Sequence, residues 1–306
     1  MLTTGHMCCG AGGDVLGASL AGAKPLWAFD LNFAAFKTAW ANFPGIPFQA
    51  DIRGFSPPCY VDVVVCGIPC QPFTRLGKRM KENDERDISV AVASAVRKVN
   101  PAWIIFENVT EYRKSQGFQI LNSELSAYKI NWQILNFADY GIPTTRRRLI
   151  GIASKDTLLE FPEPTHTSAH GLFDQKAPWE KFKHIRNGDG MKPVSSNILK
   201  GKFNRSRRYA EKGYGFSMQL IDDEDVMPTI LGVFCNGSGS KSNAVFIYDK
   251  GALRHISFKE AYRAQGFPDE YIFLGTVAQK WQMVANALPP AMARVLIQHI
   301  SRSSSC

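Results

Sequence analysis

The chain has no stretch near the ~18 uninterrupted apolar residues of a membrane span, which argues against an integral membrane protein. Its first residues, Met1 to His6, carry no charged n-region and no apolar h-region, so no secretory leader is expected. Seven cysteines (Cys8, Cys9, Cys59, Cys66, Cys70, Cys235, Cys306) are too few, odd in number and irregular in spacing for a disulfide framework. No paired C-x-x-C motif suggests zinc, so the expectation is a reduced, cytosolic protein without structural metal. Acidic residues are in deficit, 27 against 36 Lys and Arg, for a net charge of +9 and a pI near 9.2. That balance favours a polyanionic partner. With 306 residues, 45% of them hydrophobic, the chain can form either two domains or one large α/β domain carrying an insertion.

The most informative stretch is Val61-Asp62-Val63-Val64-Val65-Cys66 followed by Gly67-Ile68-Pro69-Cys70-Gln71-Pro72-Phe73-Thr74. Its β-branched run reads as a buried parallel strand. Gly67 and the prolines then end the strand and hold Cys70 beyond its C-terminal edge, where open α/β sheets bind ligands. A cysteine there is placed to act as a nucleophile. The alternative is a small apolar residue in a tight turn.

Other strand ends carry the same kind of punctuation. Met7-Cys8-Cys9-Gly10-Ala11-Gly12-Gly13 reads as a strand end entering a glycine-rich turn and a helix, whose free N–H groups suit an anionic moiety. The full dinucleotide fingerprint is missing, which disfavours NAD. The strand Pro25 to Phe29 ends in Asp30, and Phe48-Gln49-Ala50 leads to Asp51-Ile52. Acids at these places can accept hydrogen bonds from ribose or cap a turn. Two in succession after a glycine turn suggest an adenosine-type ligand. Strand Trp103 to Phe106 delivers Glu107, whose setting predicts a raised pKa and a role in proton sharing. Alternation places Arg146 and Arg148 on one face of the strand that runs on to Leu149-Ile150.

Residues 75–86 are too charged for core and read as a loop, either solvated or a lid over a phosphate backbone. From 154 to 255 no helical period is sustained, and this part reads as an irregular, mostly β or coil domain. Within it, the stretch from Lys200 to Tyr209 interleaves basic and aromatic residues, as nucleic-acid surfaces often do. Order returns at Ser257-Phe258-Lys259-Glu260, a capping box that assigns Glu260 to a helix start, with further helices near 277–287 and 291–300.

Taken in order, these motifs resemble those of the DNA (cytosine-5) methyltransferases over nearly the whole catalytic part. The resemblance implies an α/β, Rossmann-like S-adenosylmethionine-dependent domain (1–153 plus 256–306) with a smaller, irregular β-rich target-recognition domain (154–255). It implies cofactor contacts at Cys8, Cys9, Gly10, Ala11, Gly13, Asp30, Leu31, Asp51, Ile52, Pro69, Asn286 and Ala287, the last two in a closing Ala285-Asn286-Ala287-Leu288-Pro289-Pro290 motif. Cys70, Glu107, Arg146 and Arg148 fall where the family keeps its catalytic groups, and Thr74, Arg75, Lys78, Arg79 and Thr229 where DNA contacts are expected. Double-stranded DNA is then the substrate, with a cognate restriction endonuclease as a further partner, in a monomeric, cytoplasmic protein of prokaryotic or phage origin.

The sequence departs from the family at Cys8, usually aromatic, at Asp30, usually glutamate, at Thr144, usually glutamine, and at Ala285, usually glycine. Cofactor affinity is where these changes would be felt. Two rivals share the motifs: a tRNA-methylating branch, disfavoured by Phe234-Cys235-Asn236, and a non-catalytic DNA-binding paralogue, disfavoured by Cys70 with Glu107.

Overall fold

The computed structural model describes residues 1–69, 88–168, 177–188, 190–211, 218–230 and 244–304. The chain begins with β1 (Thr3–Met7), α1 (Gly13–Leu20), β2 (Lys24–Asp30), α2 (Phe33–Asn42) and β3 (Pro47–Gln49). It continues with β4 (Val63–Gly67), α3 (Ser89–Val99), β5 (Trp103–Asn108), α4 (Gln116–Glu124), β6 (Lys129–Asn136), β7 (Thr144–Thr145) and β8 (Arg147–Ser154). Five of the larger strands are parallel and form, with β6 and β8, a seven-stranded sheet of order β3-β2-β1-β4-β5-β8-β6. Strand β8 is antiparallel to both of its neighbours.

The strand order decides where the site lies. The chain builds outward from β1 to β3, then crosses back to β4 and β5 on the other side. A crevice opens at the C-terminal ends of β1 and β4, where connections leave in opposite directions. The sheet has helices on both faces, so β4 is apolar throughout. Val64 and Cys66 face α3, while Val63 and Val65 face the layer that holds the final helix, Pro290–Ser303.

The remaining elements are β9 (His166–Thr167), β10 (Ala177–Pro178), α5 (Ser196–Glu211), β11 (Met218–Ile221), β12 (Met227–Pro228), β13 (Ala244–Asp249) and β14 (Ala252–His255). They form small sheets: β9 with β10, and β11-β13-β14. β12 pairs with β7, immediately before Arg146. The sixteen-residue α5 adds a helix to a part read as mostly β or coil. Among its described side chains, Leu199, Lys202 and Ser206 turn inward and one of the three is apolar, so little apolar periodicity shows in the sequence.

Three helices close the chain: α6 (Phe258–Ala264), α7 (Val277–Asn286) and α8 (Pro290–Ser303). The Ser257–Glu260 capping box forms as its spacing predicts. Helix α8 packs on α1 at very short range. A Cβ on Gly17 would sit 2.4 Å from the Pro290 carbonyl oxygen and 2.5 Å from the Ala293 Cβ. Gly13 is similarly constrained, with the Leu288 carbonyl oxygen 2.6 Å from the position of a Cβ. These glycines let the 286–290 segment lie against the glycine-rich turn. Among the described residues no helix is long and apolar enough to cross a membrane.

Candidate active site

A cavity of about 220 Å³ occupies the crevice between β1 and β4. Its wall brings together Cys8, Cys9 and Gly10 after β1, Asp30 after β2, Gly67 to Pro69 after β4, Glu107 on β5, and Arg146 and Arg148. Asn286 and Ala287 close it from the C-terminal side.

The side of the cavity along β1 and β2 is built on backbone donors. Cys8 and Gly10 both take left-handed φ angles, 55° and 56°, so the chain turns sharply as it leaves β1. That turn points the Gly10 N–H at one oxygen of Asp30, 2.8 Å away, while the other oxygen accepts from the Asn32 N–H at 2.8 Å. Burial raises the Asp30 carboxyl above its ordinary range, and these two N–H donors oppose the rise. A carboxylate offers about four lone-pair directions, so two remain for hydroxyl groups. Where an aromatic residue was expected, Cys8 presents a thiol whose pKa burial pushes well up, leaving it neutral and apolar at pH 7.

The other side of the cavity is centred on Glu107, which is 7% exposed. The Arg148 Nε lies 3.0 Å from its Oε1, and the Arg146 Nη2 3.9 Å from the same atom. Burial raises the Glu107 carboxyl, and Arg148, then Arg146, partly offset it. The alternation expected of the two arginines holds, with exposed Arg147 between them. Their tasks differ. Arg146 is fully buried and donates to the carbonyls of Ala285 (2.7 Å) and Ala287 (3.2 Å), tying β8 to the end of α7.

Several expected residues lie beside the cavity rather than on its wall. Ala11 is core, its carbonyl accepting from the Tyr271 hydroxyl, and Gly13 packs against Leu288. Leu31 is 59% exposed, and Ile52 is buried in the main core. The Asp51 carboxylate turns to its own chain, accepting from the Arg53 N–H at 2.9 Å and pairing with that guanidinium. Thr229 donates its hydroxyl to the Thr145 carbonyl at 3.0 Å, next to the arginine strand. Cys70, Thr74, Arg75, Lys78, Arg79 and Cys235, with the 75–86 segment, lie outside the described residues. Pro69, directly before Cys70, is on the cavity wall.

Three wall residues were not singled out from the sequence. Asp14, on the first turn of α1, binds the Nδ1 of His6 at 2.9 Å, and the His6 Nε2 meets the Thr4 hydroxyl at 2.8 Å, all buried. Nothing in the linear pattern links Thr4, His6 and Asp14. Gln282 donates to the Asn286 side chain at 2.8 Å, and here the i,i+4 spacing on α7 was the available signal. Asn32, which caps α2, is the third.

Comparison with known proteins agrees with this geometry. The family model for C-5 cytosine-specific DNA methylase matches residues 2–302. The chain belongs to that family. As a DNA cytosine-5 methyltransferase it takes its methyl group from S-adenosylmethionine. It is 26% identical to the Type II methyltransferase M1.HphI of Haemophilus parahaemolyticus, over 99% of this chain and 88% of that one. Identity to the Type II methyltransferase M.NgoMIV of Neisseria gonorrhoeae is 25%, over 98% and 97% of the two chains. The fold is shared with the Dnmt2 methyltransferase of S. pombe, with a TM-score of 0.78, 17% identity and all of both chains covered. A putative DNA modification methyltransferase from an E. coli prophage superposes with a TM-score of 0.69 at 18% identity, again over all of both chains.

The cavity fits the cofactor by its donor set. One carboxylate with spare lone pairs, Asp30, suits ribose hydroxyls, and the Gln282 and Asn286 amides suit an amino-acid end. The neutral Cys8 thiol leaves an apolar floor for a base.

Proposed function

We propose that this methyltransferase acts on a cytosine swung out of duplex DNA, within a specific sequence, through a covalent bond between Cys70 and carbon 6 of the ring. The observation that carries the reading is Glu107, buried at the C-terminal edge of the sheet between two arginines and in one cavity with Pro69.

Carbon 5 of cytosine is a weak nucleophile. The Cys70 thiolate would form the sulfur–carbon 6 bond, pushing the ring electrons towards carbon 5 and charge towards nitrogen 3. Glu107, with its pKa raised, supplies or shares a proton at nitrogen 3 and stabilises that charge. Arg148 holds the Glu107 carboxyl in place and can meet the base or its phosphate. S-adenosylmethionine supplies the methyl group to carbon 5. Loss of the carbon 5 proton then returns electrons to the ring and expels the Cys70 sulfur. The target carbon is out of reach inside a duplex, so the base must leave the stack.

Thr74, Arg75, Lys78 and Arg79 would close behind the extruded base, and the 154–255 region, including Thr229, would read the sequence around it. In this reading 1–153 and 256–306 form the catalytic unit, the protein is a cytoplasmic monomer, and a restriction endonuclease shares its site. The Type II names of its relatives support that last point.

The test is transfer of label from tritiated S-adenosylmethionine to mixed-sequence duplex DNA and, in parallel, to total tRNA. Label in DNA that disappears with Cys70→Ser, while cofactor binding persists, is the expected result. Full activity in Cys70→Ser removes the covalent step from the reading. Label in tRNA alone moves the substrate to RNA.

A further inference from the structure

The basic face of α5, within the basic and aromatic stretch from Lys200 to Tyr209, has no part in the cavity. Along Ser196–Glu211 the cations are Lys200, Lys202, Arg205, Arg207 and Arg208, and the one acid is Glu211. A helix that is merely solvated usually mixes signs to gain i,i+4 pairs. Here the single such contact, Arg207 to Glu211, is a loose 3.7 Å between side chains that are 69% and 63% exposed. Much of the chain's formal charge of +9 is therefore gathered on one short element.

The helix is also oriented. Leu199, Lys202 and Ser206 turn inward, and Lys202 lies close enough to His255 on β14 that its charge, after burial, helps lower that imidazole's pKa. The rest of the helix exposes Lys200, Phe203, Asn204, Arg207 and Arg208, with Phe203 at the border of the inward strip. Phe203 is 60% exposed, an apolar ring left in solvent among cations. Helical rise separates Lys200 from Arg207 by about 10 Å. Duplex DNA carries one charge per ~1.7 Å of axis, so side chains of this length span several phosphates from that row. After α5 the chain runs through β11 to β12, which pairs with β7 beside Arg146.

We propose that the outer face of α5 is a duplex-DNA anchor, with Lys200, Arg207 and Arg208 binding backbone phosphates and Asn204 and Phe203 lying against the groove edge. The assignment rests on the reading of DNA as substrate. It gives the 154–255 region a phosphate-binding element that positions the duplex without reading bases.

The experiment compares the full chain with the triple variant Lys200→Gln/Arg207→Gln/Arg208→Gln. Glutamine has nearly the helix propensity of the residues replaced, so α5 is retained. A control variant, Lys24→Gln/Lys129→Gln/Lys155→Gln, removes the same charge from exposed positions at the end of the sheet away from the cavity. Binding of a fluorescent mixed-sequence duplex is followed by anisotropy over a range of salt, with cofactor binding by calorimetry and methyl transfer measured separately. In the α5 variant the log–log salt slope should become shallower by about 2 to 3, at roughly 0.9 per lost phosphate contact, with affinity at least about tenfold lower at low salt. Cofactor affinity should be unchanged, and the control should keep the wild-type slope. Equal slopes for wild type and α5 variant, or an equal loss in the control, overturn the proposal. So does loss of tRNA binding with duplex binding intact. A wild-type protein that binds duplex through α5 but does not methylate it would sink the proposed activity and leave the anchor standing.

Discussion

Glu107 shows how one buried carboxyl can be held near a useful pKa. Burial favours its protonated form, while Arg148 and Arg146 favour the carboxylate, and burial wins. Because the folded pKa is raised, the proton is fully held at low pH and is lost as pH rises through the folded value. Any stability or acid function tied to that proton fades on the same, alkaline side. Wild-type methyl transfer should therefore decline on an alkaline limb set by Glu107. Glu107→Gln should lower single-turnover transfer about 10² to 10⁴-fold with cofactor binding retained. Turnover within tenfold of wild type would remove Glu107 from the chemistry. Other single residues were less legible. Asp30 and Asp51 look alike in the sequence, each an acid just past a short strand. Their side chains part because the Gly10 N–H is within reach of Asp30, whereas Asp51 finds the N–H of Arg53 first.

At the scale of elements, the meeting of α1 and α8 positions the closing wall of the cavity. Helix propensity alone says that Gly17→Ala should stabilise α1 by about 0.5–1 kcal/mol. The added methyl would instead fall 2.4 Å from the Pro290 carbonyl oxygen, which backbone rigidity does not accommodate. The expected outcome is a loss of about 1–3 kcal/mol by chemical denaturation, with weaker cofactor binding because Asn286 to Leu288 move with α8. A more stable Gly17→Ala would show that the two helices yield. The central strands of the main sheet were legible because β4 and β5 bury near-continuous apolar runs. Helix α5 was not, since among its described side chains those turned inward are Leu199, Lys202 and Ser206, and two polar residues of three leave little period to read.

The whole molecule depends on a polar junction between the 154–255 region and the final helices. Arg254 on β14 is 3% exposed and donates to both oxygens of fully buried Glu260 on α6, at 2.8 and 2.9 Å, and to Asp249 at 2.6 Å. Glu260 also accepts from the N–H groups of Ser257 and Asn187. The capping box seen in the sequence is thus one side of a larger network. Arg254→Met should cost about 3–5 kcal/mol, because it leaves the Glu260 charge buried without its cation. Thermal unfolding would detect this, and a melting point unchanged within a degree would show that the junction carries no weight.

The sequence by itself determined the family this chain belongs to and which residues are candidates for its chemistry. Cys70, Glu107 and the arginine pair each follow or open an apolar run, and hydrophobic periodicity is a local property that places strand ends without a fold. What only tertiary structure decided is which of the candidates share one space. Strand order brings the ends of β1 and β4 together, and the glycine contacts of α1 bring residues 286–288 against a turn more than 270 positions earlier in the chain. Side-chain direction then separates Asp30 from Asp51 and joins Thr4, His6 and Asp14. Such outcomes follow from hydrogen bonds and packing between distant residues, and short-range pattern carries no record of them.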